Sequence, residues 1–231
     1  MKTVGMIGGI APESTIAYYR GIIAAYRAQR PDGSYPTILL NSIDLKRLLD
    51  LVAANERDQL VVYLIEELHK LARAGADFAV LTSNTPHLVF DELRQQSPLP
   101  LISIVETACA AAQRLGLKKV GLFGTRFTMQ GGFYQSVFGS AGIAVVVPEP
   151  DEQDYIHEKY LGELVHAALL PETRAELLAI VERMRARLGI EGLILGGTEL
   201  PLTLTEATHN GLPFLDTTNI HVEQIVARML S

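Results

Sequence analysis

The chain has 231 residues, 48% hydrophobic and 20% charged, enough for one large α/β domain or two small ones and too apolar for a disordered segment. A formal net charge of −6 argues against nucleic acid or an anionic membrane surface as partner, and no apolar run is long enough to span a bilayer. The single cysteine, Cys109, excludes an internal disulfide and a cysteine-rich metal site; with Met1–Gly5 running straight into a strand and no signal peptide read, the expected location is cytoplasmic.

Residues 3–7 read as a first strand. The turn Gly8-Gly9-Ile10-Ala11 leads to Pro12 and Glu13, both suited to the first turn of a helix. Tyr18, Tyr19, Ile22, Ile23 and Tyr26 space as one face of that helix. Gly8-Gly9 lacks the Gly-x-Gly-x-x-Gly spacing of a dinucleotide turn, so no nucleotide cofactor is expected. Residues 30–36 form a loop, and 37–40 a second strand ending at Asn41-Ser42-Ile43-Asp44. Lys46 and Arg47 could bind a distal carboxylate, although a solvated helix face is the commoner fate of such a pair. Residues 55–74 read as a long helix with Leu60, Leu64, Leu68 and Leu71 on one stripe, stopped by Gly75. The apolar run 78–81 is a third strand, followed by a helix over 87–95. Pro98 to Pro100 closes the first half. Residues 101–104 form a short strand, and the helix 106–115 carries Cys109 on an alanine-rich face, where a thiol behaves as a small hydrophobe.

The second half repeats the plan. Strand 119–123 runs into Gly124-Thr125-Arg126-Phe127-Thr128, which opens a helix, and 143–147 is the next strand. Helical patterns cover 152–167 and 171–188. Residues 192–195 and 212–215 are strands, with Asp216 placed to cap a closing helix over 220–230. Strands alternating with helices imply parallel sheets. The expected architecture is α/β, with two pseudo-symmetric doubly wound lobes, each holding a four-stranded parallel sheet. Lobe 1 would be residues 1–100 plus about 212–231, and lobe 2 residues 101–211. Ligands of such sheets collect at the carboxyl ends of strands, so a site is expected in the cleft between the lobes.

Two strand ends carry the most informative chemistry. The first is Thr82-Ser83-Asn84-Thr85-Pro86-His87, the second Leu195-Gly196-Gly197-Thr198-Glu199-Leu200. They resemble the Cys-Asn-Thr-x-His and Gly-Cys-Thr-Glu motifs of the aspartate/glutamate racemase superfamily. The turn Gly8-Gly9 with Glu13-Ser14-Thr15, and Gly124-Thr125 with Thr128, are similar to further loops of that family. The resemblance runs over nearly the whole chain, with the motifs in family order. It implies a pyridoxal-phosphate-independent amino-acid racemase that works without cofactor or metal. In the family two cysteines face each other across the substrate Cα, one removing a proton and the other returning it. Here the matching positions hold Ser83 and Gly197, so the two-thiol mechanism is not open to this chain.

The resemblance assigns Ser83, Gly197, His87 and Glu199 to the catalytic positions. It assigns Gly9, Asn84, Thr85, Thr125, Thr128 and Thr198 to contacts with a small carboxylate or amino acid, and implies a homodimer. Read as residues alone, the hydroxyls and amides also suit loop capping. His87 could orient Ser83 or titrate near neutrality, though a structural hydrogen bond is more usual. Glu199 could be a base or could cap the next helix. Asp44 could assist Ser83. His157 and His166 lack metal-ligand companions. Four accounts of function stay open: a one-sided isomerase using Ser83, a repurposed lyase of decarboxylase type with a pocket beside Gly197, a protein that only binds a small carboxylate, and a chain whose catalytic residues were replaced.

Overall fold

A computed structural model describes residues 1–231, and the chain divides into two compact units. Unit 1 comprises Met1–Ile104 with His221–Ser231, and unit 2 comprises Val105–Ile220. The elements in order are β1 (Val4–Gly8), α1 (Pro12–Gln29), β2 (Ile38–Ser42), α2 (Leu45–Ala53), α3 (Arg57–Arg73), β3 (Phe78–Leu81), α4 (Phe90–Gln96), β4 (Leu101–Ile102), α5 (Ile104–Arg114), β5 (Lys119–Phe123), α6 (Arg126–Gln130), α7 (Phe133–Ser140), β6 (Ala144–Val146), α8 (Pro150–Gly162), α9 (Pro171–Leu188), β7 (Gly192–Leu195), α10 (Leu200–Thr203), β8 (Thr208–His209), β9 (Leu212–Asp216) and α11 (Thr217–Leu230).

The sheet of unit 1 has the order β2-β1-β3-β4 and is parallel throughout. That of unit 2 has the order β6-β5-β7-β9-β8. Its first four strands are parallel and reproduce the same order, with β5 in the place of β1 and β7 in the place of β3. The central strands β1, β3 and β7 are buried along their whole length, as their continuous apolar runs require. In unit 1, Leu60, Leu64, Leu68 and Leu71 of α3 close over Ile7, Ala79 and Leu81. In unit 2, Leu177, Ile180, Val181 and Met184 of α9 and Ile156 and Tyr160 of α8 close over Phe123, Leu193 and Leu195. Helix α9 begins with Pro171 and stops at Gly189, whose φ of 66° admits the left-handed turn that ends it.

Several details differ from the sequence reading. Strand 212–216 pairs with β7, Leu193 opposite Phe214, so it belongs to unit 2; only the segment from His221 returns to unit 1. The second sheet gains an antiparallel edge strand, β8, joined to β9 through Asn210 (φ 47°) and Gly211 (φ 80°). An Asn-Gly pair with both φ positive matches the strand twist of a two-residue hairpin. The long helix starts at Arg57, because a separate helix, α2, precedes it; Asp44 caps α2 by accepting the Lys46 N–H at 2.9 Å. The helix after Gly124 is only five residues long, and α7 starts afresh at Gly132, φ 76°. No helix is long and apolar enough to cross a membrane.

Candidate functional site

In unit 1 the first motif leaves β3 at Thr82. The Thr82 N–H and hydroxyl both donate to Ile7 O, at 3.0 and 3.1 Å, which ties the strand end to β1. Ser14, at the start of α1, donates its hydroxyl to Thr82 O at 2.6 Å. Ser83 therefore follows a residue fixed from two sides. Beyond it, residues 85–89 form a 3-10 turn, and the α-helix expected from residue 87 starts only at Phe90. Ser83, Asn84 and Thr85 are all buried.

His87 is buried too. Its Nε2 accepts the Ile104 N–H at 3.3 Å, and its ring stacks on Phe90 with centroids 4.6 Å apart. Burial, reinforced by nearby His221, pushes its pKa down to about 3, so it is neutral over the working range and does not titrate near neutrality. The His87 main-chain N–H donates to Asn84 O at 2.9 Å. His87 is thus tied to the motif by its backbone and to Ile104 by its ring.

The Gly8-Gly9 turn is packed tightly for its own reasons. Gly9 has φ 84°, and a Cβ there would lie 2.5 Å from Ile43 O. Its N–H donates to the Thr15 hydroxyl at 2.8 Å. Among the other cations and acids read from sequence, Asp44 is occupied as the α2 cap. Lys46 pairs with Asp50 at 2.6 Å, both exposed, and Arg47 lies over the Tyr63 ring at 4.1 Å. Asp44, Lys46, Arg47, Asp50 and Glu56 line an open cavity of about 480 Å³ in which three acids outnumber two bases.

In unit 2 the second motif leaves β7 in the same way. The Gly196 N–H donates to Phe123 O at 2.8 Å, extending the ladder with β5. A Cβ at Gly124 would lie 2.8 Å from Gly196 O, so the ends of β5 and β7 approach as closely as glycine allows. The Thr125 hydroxyl caps α6, accepting from Thr128 N–H at 3.4 Å, and stands 3.3 Å from the Thr128 hydroxyl. With one short turn of helix behind it, this loop lacks the long dipole an anion site draws on. Its hydroxyls are the groups it can offer.

Glu199 does not cap the following helix. It is 2% exposed, and its Oε2 accepts from the Thr198 hydroxyl at 2.9 Å and from the phenol of Tyr160. Tyr160 comes from α8, a helix to which the sequence reading gave no role. Burial first, then the Glu199 charge beside it, pushes the phenol well above its ordinary pKa. The Tyr160 ring also stands where a side chain at Gly197 would go: a Cβ there would meet Tyr160 Cε2 at 2.3 Å. The available signal was a glycine at a position where the motif otherwise has a side chain, which implies that something else fills the space.

The remaining residues fall outside this arrangement. Asp216 caps α11, accepting the Asn219 N–H at 3.0 Å. His157 accepts the Arg126 N–H at 3.2 Å, and His166 is exposed. Cys109 is buried in α5, where burial and Glu106 raise its pKa, making it a poor thiolate. No group of three or more His, Cys, Asp and Glu side chains is arranged to hold a metal ion.

Comparison with known proteins places this geometry. A sequence profile of the Asp/Glu/hydantoin racemase family matches residues 7–225. The chain is 28% identical over 147 residues to the broad specificity amino-acid racemase RacX of Bacillus subtilis (strain 168), a match spanning 62% of this chain and 63% of that protein. Among solved structures, a candidate Asp/Glu racemase from Yersinia pestis superposes with a TM-score of 0.90 at 30% identity, over 100% of both chains. An aspartate racemase homologue from Pyrococcus horikoshii OT3 superposes with a TM-score of 0.85 at 32% identity, again over 100% of both. The two strand-end motifs, the matching strand orders and the agreement over whole chains lead to one assignment: the chain belongs to the Asp/Glu/hydantoin racemase family.

Proposed function

We propose that the protein is a racemase-type isomerase that moves a proton at the carbon next to the carboxylate of a small amino acid. The observation that carries this reading is the repeated placement of chemistry in two sheets of one order. Strand β3 ends in Ser83-Asn84-Thr85, and its counterpart β7 ends in Gly197-Thr198-Glu199 with the Tyr160 phenol. Loss of a Cα proton needs a nearby base and hydrogen-bond donors for the charge that builds on the carboxylate. Hydroxyls and backbone amides at strand ends supply such donors. The similarity to a broad specificity amino-acid racemase supports amino acids as the substrate class. The sole thiol, Cys109, is buried in α5, so proton transfer falls to oxygen groups.

The test is incubation of the protein with separate D- and L-amino acids in deuterium oxide. Deuterium at Cα, read by mass spectrometry, together with inversion, read by chiral chromatography, is the expected result. Carbon dioxide release without deuterated starting acid would replace the isomerase by a lyase. Saturable binding with neither event would leave a carboxylate-binding protein.

A further inference from the structure

Residue 197 has no side chain, yet the space it would use is not empty of chemistry. A Cβ built on Gly197 would lie 2.3 Å from Cε2, 2.8 Å from Oη and 2.9 Å from Cζ of Tyr160. The phenolic oxygen therefore stands beside the volume a side-chain sulfur or oxygen at 197 would sweep. Its O–H donates to Glu199 Oε2, which also accepts from the Thr198 hydroxyl. Helix α8 is itself anchored: Glu152 in its first turn accepts from Arg183 Nε at 2.7 Å and from the Glu149 N–H at 3.0 Å.

We propose that the Tyr160 phenol, coupled to Glu199, is the proton-transfer group of unit 2, delivered by α8 to the place that Gly197 leaves open. The proposal rests on the isomerase reading above and names the group that reading lacks. In the forward step the substrate Cα–H bond breaks and its proton bonds to Tyr160 Oη, while the phenolic proton passes to Glu199 Oε2. The electron pair of the C–H bond spreads into the substrate carboxylate. In the reverse step Tyr160 gives its proton to Cα and Glu199 refills the phenol. Glu199, once protonated, exchanges its proton with solvent, so the proton returned to Cα carries the solvent's isotope. The Thr198 hydroxyl donates to the same Glu199 Oε2 and fixes that carboxylate oxygen beside the phenol. Burial keeps the phenol protonated at rest, which suits a donor. The phenol is the relay that carries the Glu199 carboxylate outward to the substrate.

A core tyrosine satisfied by a glutamate would show the same bond, so the test must separate transfer from packing. Tyr160→Phe keeps the ring that fills the space at Gly197 and removes only Oη. The full-length variant and wild type are compared for Cα exchange in deuterium oxide, starting from each enantiomer of an amino acid the wild type accepts. Removing a general acid–base group costs typically 10²–10⁴-fold. The expected result is a loss of at least about 100-fold in exchange from one enantiomer, with the other within about 3-fold of wild type, and loss of inversion from both. Glu199→Gln, which keeps an acceptor and cannot take the proton, gives the same asymmetry and covers the case in which Tyr160→Phe folds poorly. Equal losses from both enantiomers, or no loss, in a wild type that does exchange overturn the Tyr160–Glu199 assignment alone. A wild type that exchanges neither enantiomer of any amino acid overturns the isomerase reading and this assignment with it.

Discussion

The ring of Tyr160 fills the space in front of Gly197, with Cε2 2.3 Å from where a Cβ would stand. That contact explains the glycine from packing: any larger residue would have to displace a buried ring held by Glu199. It also changes how a thiol could be put into the second motif.

Gly197→Cys alone should destabilise the protein, because the ring has little room to withdraw. Overpacking of this kind costs about 1–3 kcal/mol. For a chain of this size each kcal/mol lowers the melting temperature by about 2–4 °C. Combining it with Tyr160→Ala should recover part of the loss, since the two changes share one volume, with a coupling of about 0.5–3 kcal/mol. Thermal melts of the two single variants and the double variant measure this. Additive losses would show that the ring and residue 197 do not compete. By the same argument, adding thiols at 83 and 197 together should raise racemisation only where Tyr160 is also trimmed.

Ser83→Cys exchanges one oxygen for a sulfur beside Thr82, which β1 and Ser14 hold in place. A thiol, with a pKa of ~8.5, yields a far larger anionic fraction than a hydroxyl. The expected outcome is a rise of about tenfold or more in Cα exchange from the enantiomer that does not depend on Tyr160. Ser83→Ala should abolish exchange from that same enantiomer. Rates followed by proton NMR in deuterium oxide, one enantiomer at a time, decide the matter. A Ser83→Ala protein with wild-type exchange would remove Ser83 from the chemistry.

Unit 1 should be acid-sensitive. His87 and His221 are both fully inside, with burial the first cause of their low pKa values, about 3 and about 4 against 6.5 when unfolded. His221 donates from Nε2 to Ile102 O at 3.1 Å and meets the Tyr18 hydroxyl at 2.8 Å through Nδ1, two neutral partners that offer no counter-charge to a protonated ring. Between the folded and unfolded pKa values the unfolded chain binds more protons. Stability is therefore complete above about pH 6.5 and falls as the pH drops towards 4 and 3. Going from pH 7 to pH 5 should cost about 2 kcal/mol for each histidine. Urea titrations at the two pH values, with hydrogen exchange to locate the opening, check it. Equal midpoints at pH 5 and pH 7 would contradict neutral burial of the pair.

Much of the site was legible because it lies in continuous segments. The loops after β3 and β7 are adjacent in sequence to the apolar runs that make those strands, so the motifs and their supports are read together. The same holds for Gly189 and Gly75, which stop helices, and for Asp216, which caps one. The hairpin through Asn210 and Gly211 was written in the turn chemistry as well and went unread. The roles of Glu199 and His87 were not legible. Whether a carboxylate caps a helix or holds a phenol, and whether an imidazole titrates or fastens a loop, depends on neighbours that arrive from elsewhere in the chain.

By itself the sequence determined the alternation of strands and helices, the apolar strands at the centre of each sheet, the two strand-end motifs and, through them, the family. Those features are local: each rests on residues within a few positions of one another, where periodicity and turn preferences leave a mark. Only the tertiary structure decided that strand 212–216 completes the second sheet, that His87 is dry and neutral, and that Tyr160 meets Glu199 across 39 positions of chain. Those outcomes come from close packing between distant segments, and packing selects partners by shape and burial, which no spacing along the chain records.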